Sequence, residues 1–265
     1  MDALDYVAII GAAAWTPQII TWVYRILTQP KVSIHLHSLP QIGYTTLGPI
    51  FNVTFALLSE KKDAILNKIS ATLKHESGAT YTFDWAGLSE DLSEIENPIG
   101  ETVSVKKTSL PLVVKVLHTG VAQVFVRFQH KQFKVNLRKP GALVLDRFIF
   151  LKSSGKLKTE QDIEDLVSEQ VFSEYMKHLS SEFIWIAGKY TVTFAFGSPN
   201  KFKYKKNEYI FELSQDDINE LKKNIDNIKH DLIEAGKIDI ISNYEMKKIN
   251  WIWRSPELRK KEYTK

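Results

Sequence analysis

The chain has 265 residues, of which 44% are hydrophobic and 25% charged, with a formal net charge of +4 and no cysteine. That length and balance suit one large folded domain or two small ones with a real core. Lack of cysteine excludes disulfides, thiolate metal sites, iron–sulfur clusters and a cysteine nucleophile, and the small, dispersed basic excess is a weak argument for nucleic acid.

The first element is the uncharged run YVAIIGAAAWTPQIITWVY, residues 6–24, which ends at Arg25. Nineteen helical residues reach about 28 Å, close to the hydrocarbon thickness of a bilayer. Tyr6 lies near one end and Trp22 and Tyr24 near the other, as an aromatic belt places them, with Trp15 between. Pro17 and Gln18 interrupt the apolar character at mid-depth, where a neighbouring helix would satisfy them. Residues 1–30 therefore read as an N-terminal transmembrane helix, with Arg25 marking its boundary. A cleavable signal peptide fits poorly, because Asp2 and Asp5 stand where a basic region belongs. The competing readings are a buried first helix and an interfacial segment. Arg25 and Lys31 follow the run and no basic residue precedes it, so the positive-inside rule puts the N-terminus outside and the main domain in the cytoplasm. Gln18 and the patch GAAA (11–14) favour self-association in the membrane.

Residues 31–213 change texture. VSIHLH (32–37), PIFNVTFALLS (49–59), AILNKISATLKH (64–75) and ATYTFDW (79–85) are rich in β-branched and aromatic residues and bounded by turn formers, so they predict strands. LSEDLSEIENPIGE (88–101) reads as an acidic loop. TVSVKK, PLVVKVLH and VAQVFVRFQH continue the strand pattern, the last two forming a hairpin around Gly120, and ALVLDRFIFLK (142–152) reads as a buried strand. A helix follows near 160–182, capped by Thr159 and Asp162. Strands return at 183–196, broken by Gly188, and at 207–213.

Residues 214–265 read as a helix and a basic tail. Ser214 and Asp217 form a capping box, Gly236 ends the helix, and Ile218, Leu221, Ile225, Ile228 and Leu232 make a narrow 3-4-3-4 seam. This seam is either a stripe packed on the domain or an interaction surface for a partner or a second copy. The tail NWIWRSPELRKKEYTK is aromatic and then basic.

No phosphate-binding glycine loop, nucleophile elbow or HExxH motif occurs, and no cofactor is implied. His35 and His37 share one face of a strand and could begin a metal site, but a third ligand is needed. Glu90, Asp91, Glu94, Glu96 and Glu101 lack the spacing of a calcium loop. KFKYKK (201–206) interleaves Lys201, Lys203, Lys205 and Lys206 with Phe202 and Tyr204. It reads as a hairpin with one face in the core, or as basic surface suited to anionic lipid or to nucleic acid, and Arg254, Arg259, Lys260 and Lys261 of the tail carry the same ambiguity. Asn52-Val53-Thr54 matches a glycosylation sequon but lies within the strongest strand.

GKYTVTFAF followed by NEYIFELSQDDI is similar to the last two strands of an immunoglobulin-like or fibronectin-like sandwich, with Tyr190 where a tyrosine corner forms. The resemblance covers about thirty residues and is architectural. An anchor followed by a sandwich is similar to many bacterial membrane-tethered proteins with roles in binding and assembly. The expectation is a mainly β protein: an immunoglobulin-like or fibronectin-like sandwich with two added helices behind a transmembrane helix. It would act as a non-catalytic interaction or assembly module on the cytoplasmic side of the cell membrane. Its partners would be membrane lipid and another protein or its own copies, with nucleic acid disfavoured. Two alternatives are an oligomerising effector that permeabilises the membrane through the N-terminal helix, and a soluble nucleic-acid binder with that helix buried.

Overall fold

Alternation of apolar and polar residues builds most of the strands. In β10 (Gly188–Gly197), Tyr190, Val192, Phe194 and Phe196 point inward and the residues between them outward. The computed structural model describes residues 15–24, 27–96, 102–109 and 113–262, with the backbone alone for 89–96 and 102–109. Tyr6, the patch 11–14 and Arg25 lie outside the described residues.

The strands are β1 (Lys31–Leu36), β2 (Gln41–Thr45), β3 (Gly48–Glu60), β4 (Ala64–Leu66), β5 (Lys68–His75), β6 (Thr80–Glu96), β7 (Thr102–Ser109), β8 (Val114–Val116) and β9 (Val121–His130), then β10, β11 (Lys203–Tyr204), β12 (Glu208–Leu213), β13 (Trp253–Arg254) and β14 (Arg259–Lys260). A single hydrogen-bonded path runs β11-β1-β3-β9-β6-β5-β10-β12-β14. An immunoglobulin-like sandwich predicts two separately bonded sheets; here one 12-stranded sheet curls on itself. Five steps along that path separate β3 from β12, about 24 Å if the sheet were flat. Yet the Phe51 and Phe211 rings lie 5.9 Å apart, and Phe51 also meets Phe83, Phe128 and Phe194. The aromatic core thus sits inside the curl. Only Lys205, Lys206 and Asn207 separate β11, at one edge, from β12, near the other.

Tyr190 does form the expected corner. Its hydroxyl accepts from the Ile186 N–H and donates to the Ile186 carbonyl, both at 3.0 Å. Burial in the apolar core pushes its pKa up to about 12.

Two stretches differ from expectation. Residues 88–96 extend β6 and pair with β7 as a hairpin, where the acidic composition suggested a loop. Residues 142–152 are helical, within α2 (Phe133–Ser153), where a buried strand was expected. A contiguous apolar run does not reveal its period, and the buried stripe of α2 is sparse: Phe133, Leu137 and Leu151.

The helices gather where β9 and β12 end, at the same end of the sheet as Gly48. The expected helix near 160–182 is two, α3 (Glu160–Ser168) and α4 (Gln170–Ser181), broken at Glu169, whose backbone is extended. Arg147 of α2 grips that break, with Nε and a terminal nitrogen 2.7 and 2.6 Å from the Glu169 carboxylate. This bidentate pair ties α2 to the junction of α3 and α4. Thr159 with Asp162, and Ser214 with Asp217, form the expected capping boxes.

The last helix is also divided, into α5 (Gln215–Lys222) and α6 (Asn224–Ile240). Gly236 does not end it; a Cβ there would stand 3.3 Å from Ile163, so the glycine lets α3 approach. The seam proves to be an internal stripe. Ile218 and Leu221 join the core of the sheet, and Ile228 packs with Tyr44, Phe133 and Leu179, flanked by half-buried Ile225 and Leu232. It is therefore not available as an interaction surface.

Candidate membrane interface

Residues 15–24 form a helix, α1, and every one of them is exposed. Trp15 is 63% exposed, Trp22 65% and Tyr24 59%, with Ile19, Ile20 and Val23 also bare. None of these side chains belongs to the hydrophobic clusters of the body. A buried first helix is thus contradicted over the described part of the run. Gln18 is exposed as well, and Pro17 accepts a 2.7 Å hydrogen bond from the Thr21 hydroxyl. Among the described residues no helix is long and apolar enough to cross a membrane; residues 1–14 lie outside that set.

The foot of α1 meets the body at the turn after β3. Lys61 donates to the Leu27 carbonyl at 2.9 Å, and Lys62 to the Thr28 hydroxyl at 3.0 Å. The Lys62 ammonium also lies over the Tyr24 ring, 5.0 Å from its centroid. Two cations at a helix C-terminus oppose the negative end of its macrodipole. Antiparallel pairing of β1 with β3, in which Lys31 faces Glu60, brings this turn to the start of the body. Sequence reasoning assigned the boundary to Arg25 and missed Lys61 and Lys62. Their adjacency at the end of the strongest strand was the only signal, and it needed the β1–β3 register to be read.

The same end of the sheet gathers more positive charge. Parallel pairing of β11 with β1 sets Lys203 beside Lys31. Phe202 and Tyr204 stack on each other at 5.4 Å and Tyr204 meets Phe196, so the aromatics of KFKYKK turn to the core. Lys201, Lys203, Lys205 and Lys206 are left exposed, with no carboxylate partner among the described residues. Leu27, Val113, Leu117 and Val121 add exposed apolar side chains.

Asp63 is the counter-charge of this region. It accepts from the His118 ring at 2.8 Å and from the His118 N–H at 3.0 Å, and Lys115 lies 3.3 Å away. These donors, His118 first, hold its pKa down at about 2.

The tail does not join this surface as a free basic patch. Arg254 pairs with Asp217 at 3.1 Å, Arg259 with Glu257 and Lys261 with Glu208. Arg259 and Lys260 form β14 on the edge of β12. His35 and His37 are both exposed, and His37 Nδ1 accepts from the Leu39 N–H. Among the described residues no group of three metal-ligating side chains includes that pair. Asn52 of the sequon is buried in β3.

On α2 the apolar side chains Leu143, Leu145, Ile149 and Phe150 are also bare, spread around its exposed half with Lys139 and Asp146 among them. Comparison with known proteins gives no match among family models, curated proteins or solved structures.

Proposed function

We propose that this chain is a membrane-tethered, non-catalytic module whose curled β-sheet is held against the cytoplasmic face by its N-terminal helix. The observation that carries the reading is α1: a helix bearing two tryptophans, a tyrosine and two isoleucines, bare on all sides. A water-exposed apolar surface of that kind marks a partner or a bilayer. The lysines at its foot and the neighbouring lysines of β1 and β11 are placed as juxtamembrane cations are, and they favour the orientation with the N-terminus outside.

The role that fits is interaction or assembly. With the seam of α5 and α6 buried, the exposed apolar side chains of α2, Leu143, Leu145, Ile149 and Phe150, are candidate contacts for a protein partner or a second copy. The nucleic-acid reading draws less support, because the aromatics of KFKYKK face the core and cannot stack on bases. Alkaline carbonate extraction tests the tether. The full chain should stay in the membrane pellet, and a chain beginning at Lys31 should be released and folded. Release of the full chain by carbonate would refute the proposal.

A further inference from the structure

A cavity of about 720 Å³ opens at the foot of α1, between that helix, the turn after β3 and the loop between β10 and β11. Its lining includes Trp22, Thr28, Lys62, Ser198, Asn200 and Lys201. We infer that this cavity is a binding site for the phosphate of an anionic phospholipid headgroup. The inference rests on the tether proposed above and adds a ligand to it.

The chemistry is that of a phosphate ester at a bilayer surface. Lys62 and Lys201 supply two cations, and the Ser198 hydroxyl and the Asn200 side-chain amide supply neutral donors, while the Thr28 hydroxyl, which already donates to the Tyr24 carbonyl, holds Lys62 in place. Lys62 is already oriented by Thr28 and by the Tyr24 ring, so little side-chain freedom is lost on binding. Asp63 also lines the cavity and would repel a phosphate. Its charge is answered by the Lys115 ammonium and by hydrogen bonds from the His118 backbone and ring, which leaves Lys62 and Lys201 to the ligand. Trp22 and Phe202 form the apolar part of the wall, suited to the glycerol and first acyl carbons. The position is decisive: a helix emerging from the bilayer brings this opening to headgroup level, where a tryptophan is at home.

Lipid and free phosphate share this chemistry, and the test separates them. The full chain in detergent is titrated with dihexanoyl phosphatidylglycerol, dihexanoyl phosphatidylcholine and inorganic phosphate, and adducts are read by native mass spectrometry. One phosphatidylglycerol should bind at least about tenfold more tightly than phosphatidylcholine, the scale of two lysines near an anionic surface. The variant K62Q/K201Q should lose that preference. The variant K205Q/K206Q, with the same change in charge outside the cavity, should keep it. Equal binding of the two lipids, retention of the preference in K62Q/K201Q, or its loss in both variants would overturn the site. Inorganic phosphate binding as tightly as phosphatidylglycerol would overturn the assignment to lipid. Flotation with vesicles reads the tether separately. A chain that floats without headgroup preference refutes the site alone, and one that prefers phosphatidylglycerol without floating refutes the tether alone.

Discussion

Tyr190 concentrates several roles in one side chain. Its ring stacks on Phe211 at 4.9 Å while its hydroxyl closes the turn at Ile186. Tyr190→Phe keeps the stack and leaves two backbone groups without their partner, so it should cost about 1–3 kcal/mol in chemical denaturation. Its pKa is raised in the fold, so the neutral phenol is the stabilising form. That contribution is complete below about pH 10 and is lost as pH rises toward 12. The difference between wild type and Tyr190→Phe should therefore shrink over that alkaline range. Asp63 behaves in the opposite sense. With its folded pKa lowered from 3.8 to about 2, its stabilisation is complete above pH 4 and is lost as pH falls through 2. Asp63→Asn should flatten the acid limb of the denaturation midpoint between those values. Gly43 shows a different constraint. Its carbonyl accepts from the Trp185 indole at 3.0 Å, and a Cβ would collide with the Trp253 ring. Gly43→Ala should cost about 1–3 kcal/mol by overpacking, and much less in a Trp253→Ala background, a non-additivity that a double-mutant cycle measures.

Elements differ in how far the sequence disclosed them. Strands such as β3 and β10 were legible because β-branched and aromatic residues alternate with polar ones, and the capping boxes at Thr159 and Ser214 were legible because they are local. The helical state of 142–152 was not, because Leu143, Leu145, Ile149 and Phe150 are exposed and blur the periodicity that burial would impose. The curl of the sheet was hidden for another reason: it depends on contacts such as Phe51 with Phe211, far apart in the chain. The candidate interface was half visible. Its helix announces itself by composition, whereas Lys61 and Lys62 reach it only through the pairing of β1 with β3. The reassignment of the two apolar surfaces has a direct consequence. Leu221→Ala in the buried stripe should cost about 2–5 kcal/mol, measured by chemical denaturation. Leu145→Glu at an exposed position of α2 should change stability by no more than about 0.5 kcal/mol. If α2 is the assembly face, the latter variant should lower the mass of the detergent-solubilised particle.

At the scale of the whole molecule, the helices and the candidate interface occupy opposite ends of the sheet, joined by strands such as the thirteen residues of β3. The thirteen residues of β3 separate those two ends by about 40 Å of strand, so on the proposed tether the helices would stand well away from the bilayer. In sealed cells, protease added from outside should leave the body intact, whereas in inverted membrane vesicles it should be cleaved; the reverse pattern would contradict the proposed orientation. The pairing of β1 with β11 also governs how the protein is made. Lys31 must wait for Lys203, which leaves the ribosome about ten to thirty seconds later at ordinary synthesis rates. During that interval one edge of β1 stands unpaired while the N-terminal segment has long since emerged. On the proposed tether, the N-terminal segment would reach the bilayer before β11 covers Lys31 and Val32, and the newborn chain would finish folding held apart from other unfinished copies that its open edge could recruit.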